Sequence, residues 1–510
     1  MFLLALLLVL TGIVYYGFSS RKKKFSYWRR KGIVQQDGQH LFYGDLKGLF
    51  TRKKQPGELA EEIYYKFKKM GVQYGGYYMM SRPQWLLIHP SIIRLIMTKD
   101  FQHFSAHNPK LSDSLLFNNI FHMDGEPWKD IRRKLSPTFT SGKMKMMFDM
   151  LLEKTHGLSD LMANATKDGK TSEIKALLAR FTTDVIGTCG FGIECDSLNN
   201  ESSQFFQQGQ ELFKRFMKRP KFFTGILMVL GLVSPFRFDV SDIEDFFRQI
   251  VNKTVDYREK NKVVKKDFLH LMIQLKNKGS ITDIINEKDV FQTSGEGGMS
   301  MEEVAGQCLL FFTAGFETSS TTMSFALLEL AQNQDVQAKL REETREVLKR
   351  HNGNLTYEAL QEMTYCENVM QETLRKYPPL TNLTRLCTKD YRIPDTDIVI
   401  DKGTNVTIPI LALQNDPEYF PNPQKFMPER FNAQNKSQIT EYTYMPFGEG
   451  PRQCLGLRFG VMQTKAGLAT LINRFNFTLN GKCPYPPKFD PSSPILSVDG
   501  GIWLDTKEVP

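Results

Sequence analysis

A chain of 510 residues, 41% hydrophobic and 12% aromatic, has enough apolar material for a large core and an apolar pocket besides. Its formal net charge of +10 is spread along the chain with acidic residues close by, which argues against nucleic acid and fits an anionic membrane surface or an acidic protein partner. Seven cysteines, an odd number without a Cys-x-x-Cys pair, exclude a short disulfide framework and fit a reducing compartment.

Residues Phe2 to Phe18 carry no charge, and Arg21, Lys22, Lys23 and Lys24 follow at once. With Ser19 and Ser20 the run reaches the ~20 residues a helix needs to cross a bilayer. A cleaved signal peptide has its positive charge ahead of the apolar run. Here the charge comes after it, so the rest of the chain is expected to stay in the cytoplasm. The expected organisation is a transmembrane signal-anchor over 1–20, a basic linker over 21–57 and a single large domain over 58–510, since no low-complexity linker or repeat divides the remainder. On that topology the sequons at Asn164, Asn354, Asn382, Asn405 and Asn476 never meet the glycosylation machinery.

Helical periodicity predicts helices over 58–70, 126–137, 172–190, 240–275, 300–332, 335–350, 357–377 and 455–472. Strand-like runs fall at Tyr77–Met80, Trp85–His89, Asp397–Ile400, Val406–Ile408, Phe475–Leu479 and Gly501–Leu504. A Pro-rich coil runs from Asp416 to Phe431. The expected fold class is α+β, mainly α with small β-sheets. Phe222 to Phe236 is apolar and follows Lys214, Arg215, Lys218, Arg219 and Lys221. It is too short and broken to span a membrane, and reads equally as an interfacial segment or a buried lid.

The strongest chemical signal is the run Phe447-Gly-Glu-Gly-Pro-Arg452-Gln-Cys454-Leu-Gly456. A lone cysteine is ordinarily a small buried hydrophobe. This one stands between a Gly-rich turn and the start of an apolar helix, where backbone N–H groups and nearby Arg452 favour a thiolate. Gly456 lets a helix backbone lie close to a flat ligand, and Phe447 offers a ring to shield the sulfur. The run resembles the haem-binding loop of the cytochrome P-450 family at every fixed position. The resemblance implies haem b (iron protoporphyrin IX) with Cys454 as the metal ligand, an electron-rich thiolate that favours O–O cleavage.

Other stretches resemble that family too. Glu372 and Arg375, one helical turn apart, would by themselves be an ordinary surface pair. With Arg430 downstream they resemble the family's buried structural triad. Trp128 and Arg132 share a helical face and resemble a pair that holds a haem propionate, and Arg385 and Arg452 match the other propionate ligands. The segment Ala314-Gly315-Phe316-Glu317-Thr318-Ser319 resembles the oxygen-activation motif. There a local kink beside Ala314 and Gly315 makes room for dioxygen, and Glu317 and Thr318 relay protons; the ordinary reading of Thr318 is a hydroxyl bonded back to its own helix.

The likeness covers nearly the whole chain and extends to the insect xenobiotic-metabolising branch of microsomal enzymes. It implies a haem-thiolate monooxygenase in the endoplasmic reticulum membrane, with its catalytic domain cytoplasmic. The enzyme would insert one oxygen atom into small apolar substrates: xenobiotics such as plant toxins or insecticides, or endogenous lipids, terpenes or hormones. Electrons would come from NADPH through a flavoprotein reductase, with cytochrome b5 as a second donor and no role for nucleic acid. Arg133, Lys134, Lys143, Lys145 and Arg458 are candidates for docking the reductase. Phe101, Phe104, Phe117, Phe121, Phe205, Phe206, Phe213, Phe311 and Phe312 are candidates for an aromatic pocket. Rival readings are a haem-thiolate isomerase or dehydratase needing no reductase, and a non-catalytic haem-binding sensor or transporter. One departure stands out: the family's Pro-rich hinge after the anchor is missing, since no proline precedes Pro56.

Overall fold

Ser300 starts the helix around which the molecule is built. Its hydroxyl accepts the Glu303 N–H at 3.2 Å and Glu303 Oε2 accepts the Ser300 N–H at 2.8 Å, a reciprocal cap on a 32-residue helix. The computed structural model describes residues 19, 22–107, 112–167, 171–217, 239–281, 290–291 and 297–509.

In chain order the principal helices are α1 (Pro56–Lys69), α2 (Gly125–Leu135), α3 (Ser141–Thr166), α4 (Ile174–Ile186), α5 (Gln204–Met217), α6 (Ser241–Asn261), α7 (Phe268–Lys278), α8 (Met301–Gln332), α9 (Gln334–Arg350), α10 (Thr364–Lys376) and α11 (Leu457–Arg474). α8 is the spine, packed on α4 most extensively and on α6, α10 and α11 as well. Its stretch from Ser319 to Ala331 is buried without interruption, which a helix surrounded on all sides requires. The expected helix over 240–275 is two: α6 ends at Lys262 in the left-handed region, and α7 starts at Asp267, whose carboxylate accepts the His270 N–H and pairs with buried Arg258 at 2.6 Å. α3 and α5 were not anticipated.

One sheet has the order β1 (Tyr74–Met79), β2 (Arg82–Leu87), β7 (Asn405–Ile408), β4 (Leu383–Leu386). β2 and β7 run parallel and the other pairs antiparallel, with Arg385 of β4 opposite Val406. A second sheet joins β3 (Ser172–Glu173), β9 (Trp503–Glu508) and β8 (Phe475–Leu479), and a two-stranded pair joins β5 (Tyr391–Arg392) to β6 (Val399–Ile400). The α+β expectation holds, with one core among the helices and a second around the first sheet.

The expected anchor over 1–20, Ser19 apart, and the apolar 222–236 segment lie outside the described residues. Among the described residues no helix is long and apolar enough to cross a membrane. The expected basic linker, 21–57, is not a free tether where it is described. Trp28 is fully buried, its indole N–H donates to Tyr77 O at 3.2 Å, and the Gly76 N–H donates to Val34 O at 2.7 Å. These bonds tie the segment to β1.

Candidate active site

The site begins behind the sulfur. Glu372 and Arg375 face inward from α10 and are fully enclosed. Arg375 Nε and Nη2 donate to the Glu372 carboxylate at 2.8 and 3.0 Å, and Arg430 Nε donates to the same group at 3.2 Å. Other Arg375 N–H bonds go to the carbonyls of Gln414 and Pro423 at 2.8 and 2.7 Å. Every member of this buried charge group therefore has partners. Gln414 carries the constraint onward, its amide donating to Arg375 O at 3.0 Å and its oxygen accepting the Met445 N–H at 3.0 Å.

From Met445 the chain turns through Gly448 and Gly450, both at positive φ of 71° and 72°. A Cβ on Gly450 would collide with the Met97 carbonyl. The Cys454 N–H donates to Phe447 O at 2.8 Å and closes the loop just ahead of α11. Phe447 is half-buried.

Cys454 is exposed along its side chain although protein surrounds it, so the sulfur opens onto an internal recess. Burial pushes its thiol above the usual range, against the Gly456 N–H and the charge of Arg132. The cation acting on the sulfur is thus Arg132, not Arg452 as expected. Protein groups alone favour the thiol, and a metal cation at sulfur would supply the missing charge. A Cβ added to Gly456 would meet only Phe139 Cε1, at 3.8 Å, so that face can lie close to a planar group.

Arg452 stacks over Trp128, 4.1 Å from the ring centroid. It also donates to the carbonyls of Ser105, Ile120 and Met123 at 2.7, 2.9 and 2.5 Å. Arg385 is enclosed at 1% exposure, and its Nε finds no partner among the described residues. Burial lowers Arg385 to about 10; burial and then the Arg385 charge lower Arg452 to about 9. Beside them sit two histidines that nothing in the local sequence pattern marks. His107 is held well below its ordinary value by burial, Arg385 and Arg452, and His122 is lowered to about 4 by burial and Arg452. Among the described residues no carboxylate forms an ion pair with Arg132, Arg385 or Arg452. So much buried like charge is costly unless an anionic group shares it.

α8 packs on α11. Phe311 lies 5.2 Å from Phe459 in the first turn of α11, and Ala314 and Thr318 follow Phe311 on the same helical face. Ala314 is exposed and Thr318 half-buried, in contrast to the sealed segment beyond them. Thr318 Oγ1 donates to Ala314 O at 2.6 Å. Glu317 does not join them: it pairs with Lys175 of α4 at 2.5 Å. α8 keeps helical backbone through this stretch. Gly315 has another use, because a Cβ there would collide with Ile186 Cδ1 of α4.

Several of the expected pocket aromatics are plain core. Phe104 packs with Trp85 and Tyr391, while Phe205 and Phe312 are sealed among Phe247 and their neighbours. Phe101, Phe117, Phe121 and Phe213 keep accessible surface. Of the docking candidates, Arg133 and Lys134 pair with Asp130, Lys145 pairs with Glu358, and Arg458 donates to Phe139 O at 3.1 Å.

The fold and this grouping of a thiol with buried arginines fit a haem protein of the thiolate class. The family model for cytochrome P450 matches residues 43–500, and the chain belongs to that family. It is 38% identical to cytochrome P450 6a2 of Drosophila melanogaster, over 99% of each chain. It is 39% identical to probable cytochrome P450 6a14 of the same fly over the whole of both chains. It is 38% identical to cytochrome P450 6k1 of Blattella germanica, over 98% of this chain and 95% of that one. The protein is a P450 monooxygenase and its cofactor is haem.

The residues fit that cofactor. Among the described residues no group of three or more His, Cys, Asp or Glu is placed to hold a bare metal ion, so Cys454 suits an iron that brings its other ligands with it. The partnerless Arg385 Nε and the cation cluster suit two propionates.

Proposed function

We propose that Cys454 Sγ would ligate the haem iron, that Trp128, Arg132, Arg385 and Arg452 would hold the propionates, and that Phe447 and Gly456 would flank the sulfur. What supports this reading is an exposed thiol inside the fold, an open Ala314–Thr318 face on the helix packed against α11, and guanidiniums that form no ion pair with a carboxylate among the described residues. Bound there, haem supplies dioxygen activation and electron transfer.

The chain supplies geometry and protons. The Gly456 N–H steadies the sulfur's negative charge, and the triad of Glu372, Arg375 and Arg430 fixes the coil that delivers it. Ala314 leaves room above the reacting centre. Thr318 holds a proton at Oγ1; to pass it on, the hydroxyl turns away from Ala314 O, to which it now donates. Glu317 feeds Thr318 only after its carboxylate exchanges Lys175 for water. One oxygen atom of dioxygen enters an apolar substrate and the other leaves as water, at the expense of two electrons and two protons.

The electrons come from NADPH through a membrane-bound flavoprotein reductase, with cytochrome b5 as a second donor. Arg133 and Lys145, whose side chains are 81% and 62% exposed, are the more accessible of the docking candidates. Residues 1–20 anchor the chain in the endoplasmic reticulum membrane with the domain in the cytoplasm. Substrates are small xenobiotics such as plant toxins or insecticides, or endogenous lipids, terpenes or hormones. The test is the reduced carbon-monoxide spectrum and product formation from a panel of such compounds with reductase and NADPH. Cys454→Ser should lose the red-shifted Soret band and all turnover; retention of that band overturns the ligand assignment.

A further inference from the structure

We infer that His107 is a further haem-anchoring residue, its Nε2–H donating a hydrogen bond to a propionate at the end of the haem shared by Arg385 and Arg452. This rests on the reading above, in which that arginine cluster holds the propionates.

The argument is one of tautomers. His107 Nδ1 faces two groups, Thr384 O at 3.3 Å and Arg385 Nη1 at 3.2 Å. A guanidinium N–H can only donate and a carbonyl can only accept, so Nδ1 serves one of them. Thr384 O already accepts from Arg385 Nη1 at 2.8 Å and does not need the imidazole. A proton on Nδ1 would point an N–H at an N–H. The lone pair therefore faces Arg385, and the hydrogen of the neutral ring sits on Nε2. No hydrogen bond engages Nε2 among the described residues.

The ring's orientation is set independently. His107 stacks on Phe121 with centroids 4.4 Å apart and planes 12° from parallel. This clamp and the Arg385 bond fix the ring, with Nδ1 committed to Arg385 and the Nε2 edge free of hydrogen bonds among the described residues. His122 does not share the role, because its Nδ1 is engaged by Asn119 Oδ1 at 3.1 Å. A fourth guanidinium would add to the repulsion that, after burial, already lowers Arg452. A neutral imidazole adds a donor without adding charge.

The test uses purified full-length holoenzyme and reads haem loss to an excess of an apo-globin scavenger, with resonance Raman of the propionate bending modes. His107→Leu should lose haem about ten- to hundredfold faster, the range for a hydrogen bond to a charged acceptor, and should shift one bending mode. His107→Gln keeps an N–H donor and should restore both readouts most of the way. Arg385→Ala is the control: if it leaves haem loss unchanged, the arginine reading itself fails. If Arg385→Ala accelerates loss while His107→Leu leaves the rate and both modes at wild-type values, the role of His107 is overturned and the arginine reading stands. Equal acceleration by Leu and Gln, with no change in the bending modes, would mean His107 only packs, which also overturns it.

Discussion

Arg452 lies flat over the Trp128 indole, 4.1 Å from its centroid, and reaches three separate backbone carbonyls from there. One planar fork thus fastens the Cys454 loop to Ser105, Ile120 and Met123 and to α2. Lysine cannot reproduce this, having a point charge in place of a plane. Arg452→Lys should cost about 2–3 kcal/mol, the worth of one or two charged hydrogen bonds, and lower the haem content per polypeptide. Chemical denaturation and haem quantitation check it. Unchanged values would mean the fork is dispensable.

Arg375→Ala should be harsher. It leaves Glu372, in a site of 0% side-chain exposure, with Arg430 as its one remaining charged partner among the described residues, and breaking a buried pair costs about 3–5 kcal/mol, comparable to a domain's stability margin. The expected result is little soluble holoprotein. Normal folding with full haem would show that the carboxylate finds other partners.

Gly315→Ala separates packing from chemistry. The added Cβ meets Ile186 Cδ1, and overpacking of this kind costs about 1–3 kcal/mol. Ile186→Val deletes that atom, so the double variant should recover most of the lost stability and product yield. A double variant that regains stability but not product would return Gly315 to the reaction itself.

Much of this was legible in the sequence because it is local. Cys454 and its glycines lie within one loop, and Glu372 and Arg375 within one helical turn. Partners far apart in the chain were not. Lys175 and Glu317 are separated by 142 positions, and only the packing of α4 on α8 brings them together. Likewise His107 acquires its role from Arg385, 278 positions away. α3 escaped notice because Gly142, Gly157 and a run of methionines blur its period, while the α6–α7 break has no glycine or proline to announce it.

Asp45 gives a pH-dependent signature away from the site. Its carboxyl is raised to about 7, chiefly by burial, while it accepts the Tyr78 N–H at 2.7 Å; Lys66 opposes the shift and Asp37 adds to it. A group with a raised folded value holds its proton more tightly folded than unfolded. Its contribution is fully present below the unfolded value of 3.8 and is lost as pH rises through about 7. Asp45→Asn should therefore flatten the fall in thermal stability between those limits. An identical pH profile for the two proteins would place Asp45 in water.

Thr318→Ala tests the proton path. The hydroxyl donates to Ala314 O at 2.6 Å, an ordinary helical back-bond, so its removal should leave α8, haem content and substrate binding intact. The proposed docking residues Arg133 and Lys145 lie outside α8, so NADPH oxidation should continue. What fails is delivery of a proton from Oγ1 to the oxygen that is to leave as water. Reduced oxygen then escapes as hydrogen peroxide. A positioned proton donor is worth about 10²–10⁴-fold, so product per NADPH should collapse while peroxide rises to match. Thr318→Ser, which keeps the hydroxyl, should stay coupled, and this distinguishes proton delivery from loss of the methyl group. Added peroxide should partly restore product in the alanine variant, because it bypasses dioxygen reduction. Wild-type product per NADPH in Thr318→Ala would leave the hydroxyl as a back-bond and nothing more.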